Sequence, residues 1–207
     1  MAITNIVTGE LRNKIGSMVG AKWKGISYVR AYVKPKDANT EAQRAIRSQF
    51  RKVTRFASAI NEGVLKPYQA KAVKNMSPYN RFTQINREVI TDESKGYESL
   101  KIFSGSLPVA EDLSAYAPAD AGTVEVTFMP CNHGTAHKHD TLIAVVYNET
   151  GETFGYATVD RGDGGSAVTL NVHTWYKTGD ILHVYLTASR KGAANGGTLY
   201  TGIAAGV

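Results

Sequence analysis

The chain holds one cysteine, Cys131, in 207 residues, so no internal disulfide can substitute for a hydrophobic core, and nothing points to an oxidising compartment. Long apolar runs are missing too. No stretch approaches the ~18 apolar residues of a membrane span, and the first ten residues lack the basic and apolar regions of a secretory signal. The expectation is a soluble protein made in the cytoplasm, without a membrane partner. Also absent are seryl and cysteinyl nucleophile motifs, a phosphate-binding P-loop, the dinucleotide glycine fingerprint and paired catalytic carboxylates, which predicts a protein that is not an enzyme and carries no cofactor. What is present, 43% hydrophobic and 20% charged residues, is the composition of a folded globular chain.

The charge is unevenly placed. Residues 1–90 carry 17 Lys/Arg against 5 Asp/Glu, and residues 91–207 carry 7 against 13. The pattern changes at the same seam, which predicts two modules with different partners: a basic strand-and-helix docking module over residues 1–92 and an all-β immunoglobulin-like sandwich over 93–207. The first module reads as a β-hairpin arm plus about three helices, α+β in class.

In the arm, Gly9, Gly16, Gly20 and Gly25 separate short extended segments, with Gly16 and Gly20 read as bulges or close backbone contacts and Lys24-Gly25 as a turn. Ile26, Tyr28, Arg30 and Tyr32 alternate with Ser27, Val29, Ala31 and Val33, the period of two of a strand. Trp23, Tyr28, Arg30 and Tyr32 are the candidate strand-addition interface. Thr40-Glu41-Ala42-Gln43 predicts a helix start, and Gly63 a stop after about Asn61. Ile46, Phe50, Val53, Ala57 and Ile60 make its apolar stripe. Arg44, Arg47, Arg51 and Arg55, with Lys52 beside them, form a basic row on another face, either a site for nucleic acid or an acidic partner or a solvated surface. Further helices are expected from about Val64 to Met76 and, capped by Ser77-Pro78, to about Ile90.

The second module predicts seven strands, at residues 99–104, 123–129, 141–147, 153–159, 167–172, 181–188 and 198–203. The cysteine pair and core tryptophan of antibody domains are missing. Cys131, His133, His137 and His139 crowd one segment and offer zinc-type donor atoms, but their spacing matches no common structural zinc module, so a polar inter-strand loop is the favoured reading and no metal is assigned. Arg161-Gly162-Asp163 contains an adhesion-type tripeptide that also reads as simple turn chemistry.

The run from Gly16 through Trp23-Lys24-Gly25 to Arg30, then Asn39 to Gln43, Asn75-Met76-Ser77, Asp140 to Asn148, Gly179 to Leu186 and Tyr200-Thr201-Gly202, resembles an uncharacterised domain-of-unknown-function family common in Bacteroidetes genomes and their phages. The resemblance implies an association with phage or mobile elements and brings no catalytic residues. Where that family carries a polar, Ala-rich run, this chain has its His-rich loop. The leading expectation is thus a structural protein of a bacteriophage virion, with other virion proteins or copies of itself as partners and packaged nucleic acid as a further candidate. The alternatives are a nucleic-acid-binding accessory protein using the arginine row and a carbohydrate- or host-surface-binding module using Tyr156, Trp175 and Tyr176. A metal-dependent enzyme built on the His-rich loop ranks last.

Overall fold

The computed structural model describes all residues except 1, 2, 6–9, 24, 35, 70–75, 120, 121, 163–165, 191, 192 and 207, and for 3–5, 10–12 and 23 the backbone alone. The chain divides into two compact units, Met1–Thr40 and Glu41–Val207.

The first unit is a meander of β1 (Ile3–Asn5), β2 (Glu10–Ile15), β3 (Met18–Trp23) and β4 (Ile26–Ala31), each strand antiparallel to the next. Gly16, at φ +57, makes the left-handed bend between β2 and β3. The hairpin arm expected from the sequence is therefore part of a four-stranded sheet.

The second unit opens with α1 (Glu41–Ile60), which runs through one π turn (Asn61–Leu65) into α2 (Lys66–Tyr68). Gly63 does not stop the helix. It sits beneath Tyr156, where an added Cβ would lie 2.6 Å from a ring carbon, so its role is close packing. The helix expected over 64–76 ends at Tyr68 as α2, and residues 70–75 lie outside the described residues. Ser77 caps α3 (Pro78–Ile85) by accepting from the Asn80 amide at 3.2 Å, with Pro78 in the first turn. The expected single helix to Ile90 breaks at Asn86, whose side chain bridges the Phe82 and Lys101 backbones, and resumes as α4 (Arg87–Thr91).

Seven strands follow: β5 (Ala110–Tyr116), β6 (Thr123–Pro130), β7 (Thr141–Asn148), β8 (Thr153–Asp160), β9 (Val168–His173), β10 (Ile181–Arg190) and β11 (Ala194–Ala204). They form a four-stranded sheet ordered β11-β10-β7-β8 and a three-stranded sheet ordered β5-β6-β9. Six strands lie where the sequence puts them, within a few residues. The first does not: residues 99–104 are an irregular segment whose Leu100, Ile102 and Phe103 are buried, and the Ile102 and Phe103 amides donate to the Thr198 hydroxyl at 2.9 and 3.2 Å. A side-chain hydroxyl does there what a neighbouring strand would otherwise do.

The central strands β7 and β10 are buried on both faces. Leu142, Ala144, Val146, Leu182, Val184 and Leu186 pack with Val124, Val126, Phe128 and Val172 of the other sheet. The alternate positions Ile143, Val145, Tyr147 and Tyr185 pack with Val53, Phe56, Ala57, Ile60, Val64, Leu65 and Phe82 from the helices. Phe56 lies at the centre, its ring 5.7 Å from Phe82, 5.0 Å from Tyr147 and 5.3 Å from Tyr185. The order of layers is helices, four-stranded sheet, three-stranded sheet.

Two further expectations need correction. The seam at 92/93 falls inside one unit, because a sheet that is apolar on both faces needs a second cover and the helices supply it. The stripe on α1 is also displaced: Val53, Phe56, Ala57 and Ile60 are buried, whereas Ile46 and Phe50 are 49% and 47% exposed. Gln49 is buried in that first half instead, donating to the Glu93 and Lys95 carbonyls at 3.0 and 3.4 Å.

Candidate functional site

The first unit carries the expected strand-addition residues, three of them on or just after its edge strand β4 and Trp23 on the neighbouring β3. Tyr28 and Arg30 alternate on β4, which among the described residues pairs only with β3 and is exposed at every position. Tyr32 follows on the same face, with the Lys14 ammonium 3.8 Å above its ring. Trp23 closes β3 opposite Ile26, and its side chain lies outside the described residues. On the other face Ile15, Met18 and Val29 are exposed as well. Among the described residues of this sheet only Gly20 is buried. Residues 1–40 hold 7 Lys/Arg against 2 Asp/Glu, whereas 41–207 hold 17 against 16, so the excess of positive charge belongs mainly to the small sheet.

Arg44, Arg47, Arg51, Lys52 and Arg55 are all exposed along α1. Arg55 pairs with Glu152 from the β7–β8 turn, and the Lys52 ammonium lies 6.0 Å over the Tyr97 ring. The row is thus partly engaged within its own unit.

The Cys/His segment is organised by a buried ionic cluster. Asp140 accepts from Arg190 at 2.6 and 2.9 Å and from the His137 amide at 2.9 Å, and Arg161 lies 3.8 Å away with both side chains 1% exposed. Burial raises the Asp140 pKa, but the Arg190 hydrogen bonds, the His137 amide and both guanidinium charges outweigh it and leave the carboxyl below its ordinary range. Arg161 donates to the carbonyls of Pro108, Val109 and Cys131. Its burial removes it from any adhesion tripeptide, and Asp163 lies outside the described residues.

Of the four sequence candidates for metal ligation, the structure brings Cys131 and His133 together and adds Glu111 from β5, the three donor atoms lying within 4.8 Å of one another. His137 and His139 are exposed and outside that group. Burial first, and then the Glu111 carboxylate, push the Cys131 thiol up. Glu111 was invisible to sequence spacing because it arrives through strand pairing from a segment not recognised as a strand.

Among the aromatic platforms, Trp175 is exposed with Lys177 5.3 Å over its ring, and Tyr156 is half exposed. Tyr176 is buried, donating to the Pro118 and Thr123 carbonyls at 2.7 and 2.9 Å, so it is structural. Sequence reasoning missed His183, buried with Nδ1 3.0 Å from the Tyr200 hydroxyl and Nε2 3.4 Å from Glu149, its ring 4.7 Å from Tyr97. Burial lowers its pKa, against the opposing pull of Glu149. The alternation of Ile181, His183 and Tyr185 on β10 was the available signal.

Among the described residues no helix is long and apolar enough to cross a membrane. No curated protein and no solved structure matches the chain. Residues 8–202, both units together, match the profile of a family of unknown function (DUF6266), and the chain belongs to that family.

Proposed function

We propose that this protein is a non-enzymatic structural component of a bacteriophage particle, made in the host cytoplasm and held in the virion by its basic N-terminal sheet, whose β4 edge pairs with a strand of an acidic neighbouring protein. The observation that carries this reading is the sheet itself. Four strands in forty residues are at the size where a sheet needs a partner to be stable, and among the described residues Tyr28, Val29, Tyr32, Ile15 and Met18 are exposed. An unpaired edge with exposed aromatic residues is a template for strand addition. The positive excess of the unit selects an acidic partner.

The larger unit is then the projecting part, and we read it as immunoglobulin-like. Its first, second and fifth strands share one sheet, and its third, sixth and seventh share the other, with the fourth beside the third. This matches the division of strands in immunoglobulin sandwiches that carry an extra strand on the second sheet, with the fourth strand of the first sheet missing among the described residues. The helical layer over that second sheet is an addition to that plan.

The test is comigration. The protein should sediment with purified particles, and Val29→Pro, which blocks the β4 edge, should remove it from them while the 41–207 unit keeps its unfolding transition. Absence from particles would overturn the reading. So would a DNA or RNA affinity that falls steeply with salt and is lost in Arg47→Glu/Arg51→Glu, which would identify a nucleic-acid-binding accessory protein instead.

A further inference from the structure

We propose that Glu111, Cys131 and His133 bind a zinc ion on the surface of the larger unit. The inference is independent of the virion reading.

The donor set is a thiolate, an imidazole and a carboxylate, which suits a borderline-soft divalent ion and disfavours calcium or magnesium. The geometry is near what such an ion requires. Glu111 Oε1 lies 3.8 Å from Cys131 Sγ and 3.8 Å from His133 Nε2, and all three donors fall within 4.8 Å of one another. Tetrahedral zinc with ordinary bond lengths separates its ligand atoms by about 3.4–3.6 Å. Exposed side chains close the remaining gap by small rotations, since His133 and Glu111 are 74% and 61% exposed.

The backbone beneath the donors is held in place. Cys131 follows directly on β6, and its amide donates to the Val109 carbonyl at 3.3 Å. The buried Arg161 guanidinium binds the carbonyls of Pro108 and Val109, just before β5, together with that of Cys131, so one side chain fixes both ligand-bearing segments. The β5–β6 register shifts between Glu111 and Ser114, where Asp112 takes φ +55. Such a bulge re-aims the side chains beside it.

Without metal the Cys131 thiol donates to Glu111. Zinc replaces that proton, which leaves to solvent as the thiolate–metal bond forms, so loading releases protons. Three protein ligands leave a fourth position for water or for a donor from a neighbouring molecule.

The test uses the full chain, purified without a metal-affinity tag, loaded with Zn²⁺ and passed through gel filtration. One zinc per chain is expected. Cys131→Ser and His133→Ala should each weaken binding more than the roughly 10–100-fold that outer-shell changes cost. Glu111→Gln should weaken it as well, and the His137→Ala/His139→Ala variant should bind as the parent does. Co²⁺ in place of zinc should give a thiolate charge-transfer band that Cys131→Ser abolishes. Circular dichroism of each variant separates ligand loss from unfolding. Substoichiometric zinc in the parent, binding that depends on His137 and His139, or cobalt without the thiolate band would each overturn the assignment.

Discussion

Cutting the chain at residue 92, where charge and pattern change, should destroy the sandwich. Without the helices, Ile143, Val145, Tyr147 and Tyr185, now at most 2% exposed, would face water. At about 1.5–3 kcal/mol per large buried side chain, four of them forfeit roughly 6–12 kcal/mol. That is comparable to the whole stability of an ordinary domain, about 5–15 kcal/mol. Ser189 and Asn195 would also lose the Tyr68 carbonyl they bond at 2.5 and 2.9 Å. The assay is urea unfolding of fragments 93–207 and 41–207 beside the full chain, followed by far- and near-ultraviolet circular dichroism. Fragment 41–207 should unfold in one transition with the two signals coincident, whereas 93–207 should show no cooperative transition and should bind a hydrophobic dye. Phe56→Ala in the intact chain makes the same point by a single change, costing about 3–5 kcal/mol and lowering the midpoint of both signals together. A fragment 93–207 that unfolds cooperatively near the midpoint of 41–207 would refute the shared core.

Other consequences follow from particular contacts. Asp140→Asn leaves the buried Arg161 without its carboxylate and should cost about 3–5 kcal/mol in urea unfolding at neutral pH. Because the folded Asp140 carboxyl sits below its unfolded value, its contribution is complete above about pH 4 and disappears as pH falls through the folded pKa, so the parent's acid limb should be shallower in the variant; identical acid limbs would contradict this. His183 is shifted down by burial, so between its folded pKa and about 6.5 the unfolded chain holds the extra proton, and stability should decline as pH drops through that window. His183→Gln should flatten that slope, and an unchanged slope would place the titrating group elsewhere. Gly155→Ala should destabilise by about 1–3 kcal/mol or more, since a Cβ there would lie 2.0 Å from the His173 carbonyl where β8 meets β9, and an unchanged melting temperature would show that the strands can separate freely.

Local signals placed most of the elements. Six strands, the Ser77-Pro78 cap and the start of α1 follow from alternation, capping and turn chemistry. The strand β5, Ala-Glu-Asp-Leu-Ser-Ala-Tyr, escaped because a bulge breaks its period and it is largely exposed, whereas Leu100 and Ile102 mimic alternation in a buried segment that is not a strand. The shared core was also written in the chain. Thr141 to Asn148 is nearly continuously apolar, the mark of a strand covered on both faces, and that run required a layer beyond the sandwich. Net charge carries no such information, because charge describes the surface and says little about which faces are buried. The ligand group of Glu111, Cys131 and His133 depends on strand register, which spacing along the chain does not encode.

Native-state hydrogen exchange on the full chain tests the account most directly. Amides of α1 around Phe56 and of β7 around Val145 should open with the same free energy, equal to that of global unfolding of residues 41–207, while β1–β4 exchange far more readily until a partner is bound. Protection of α1 well below that of β7, lost in a separate and cheaper opening, would contradict a common core.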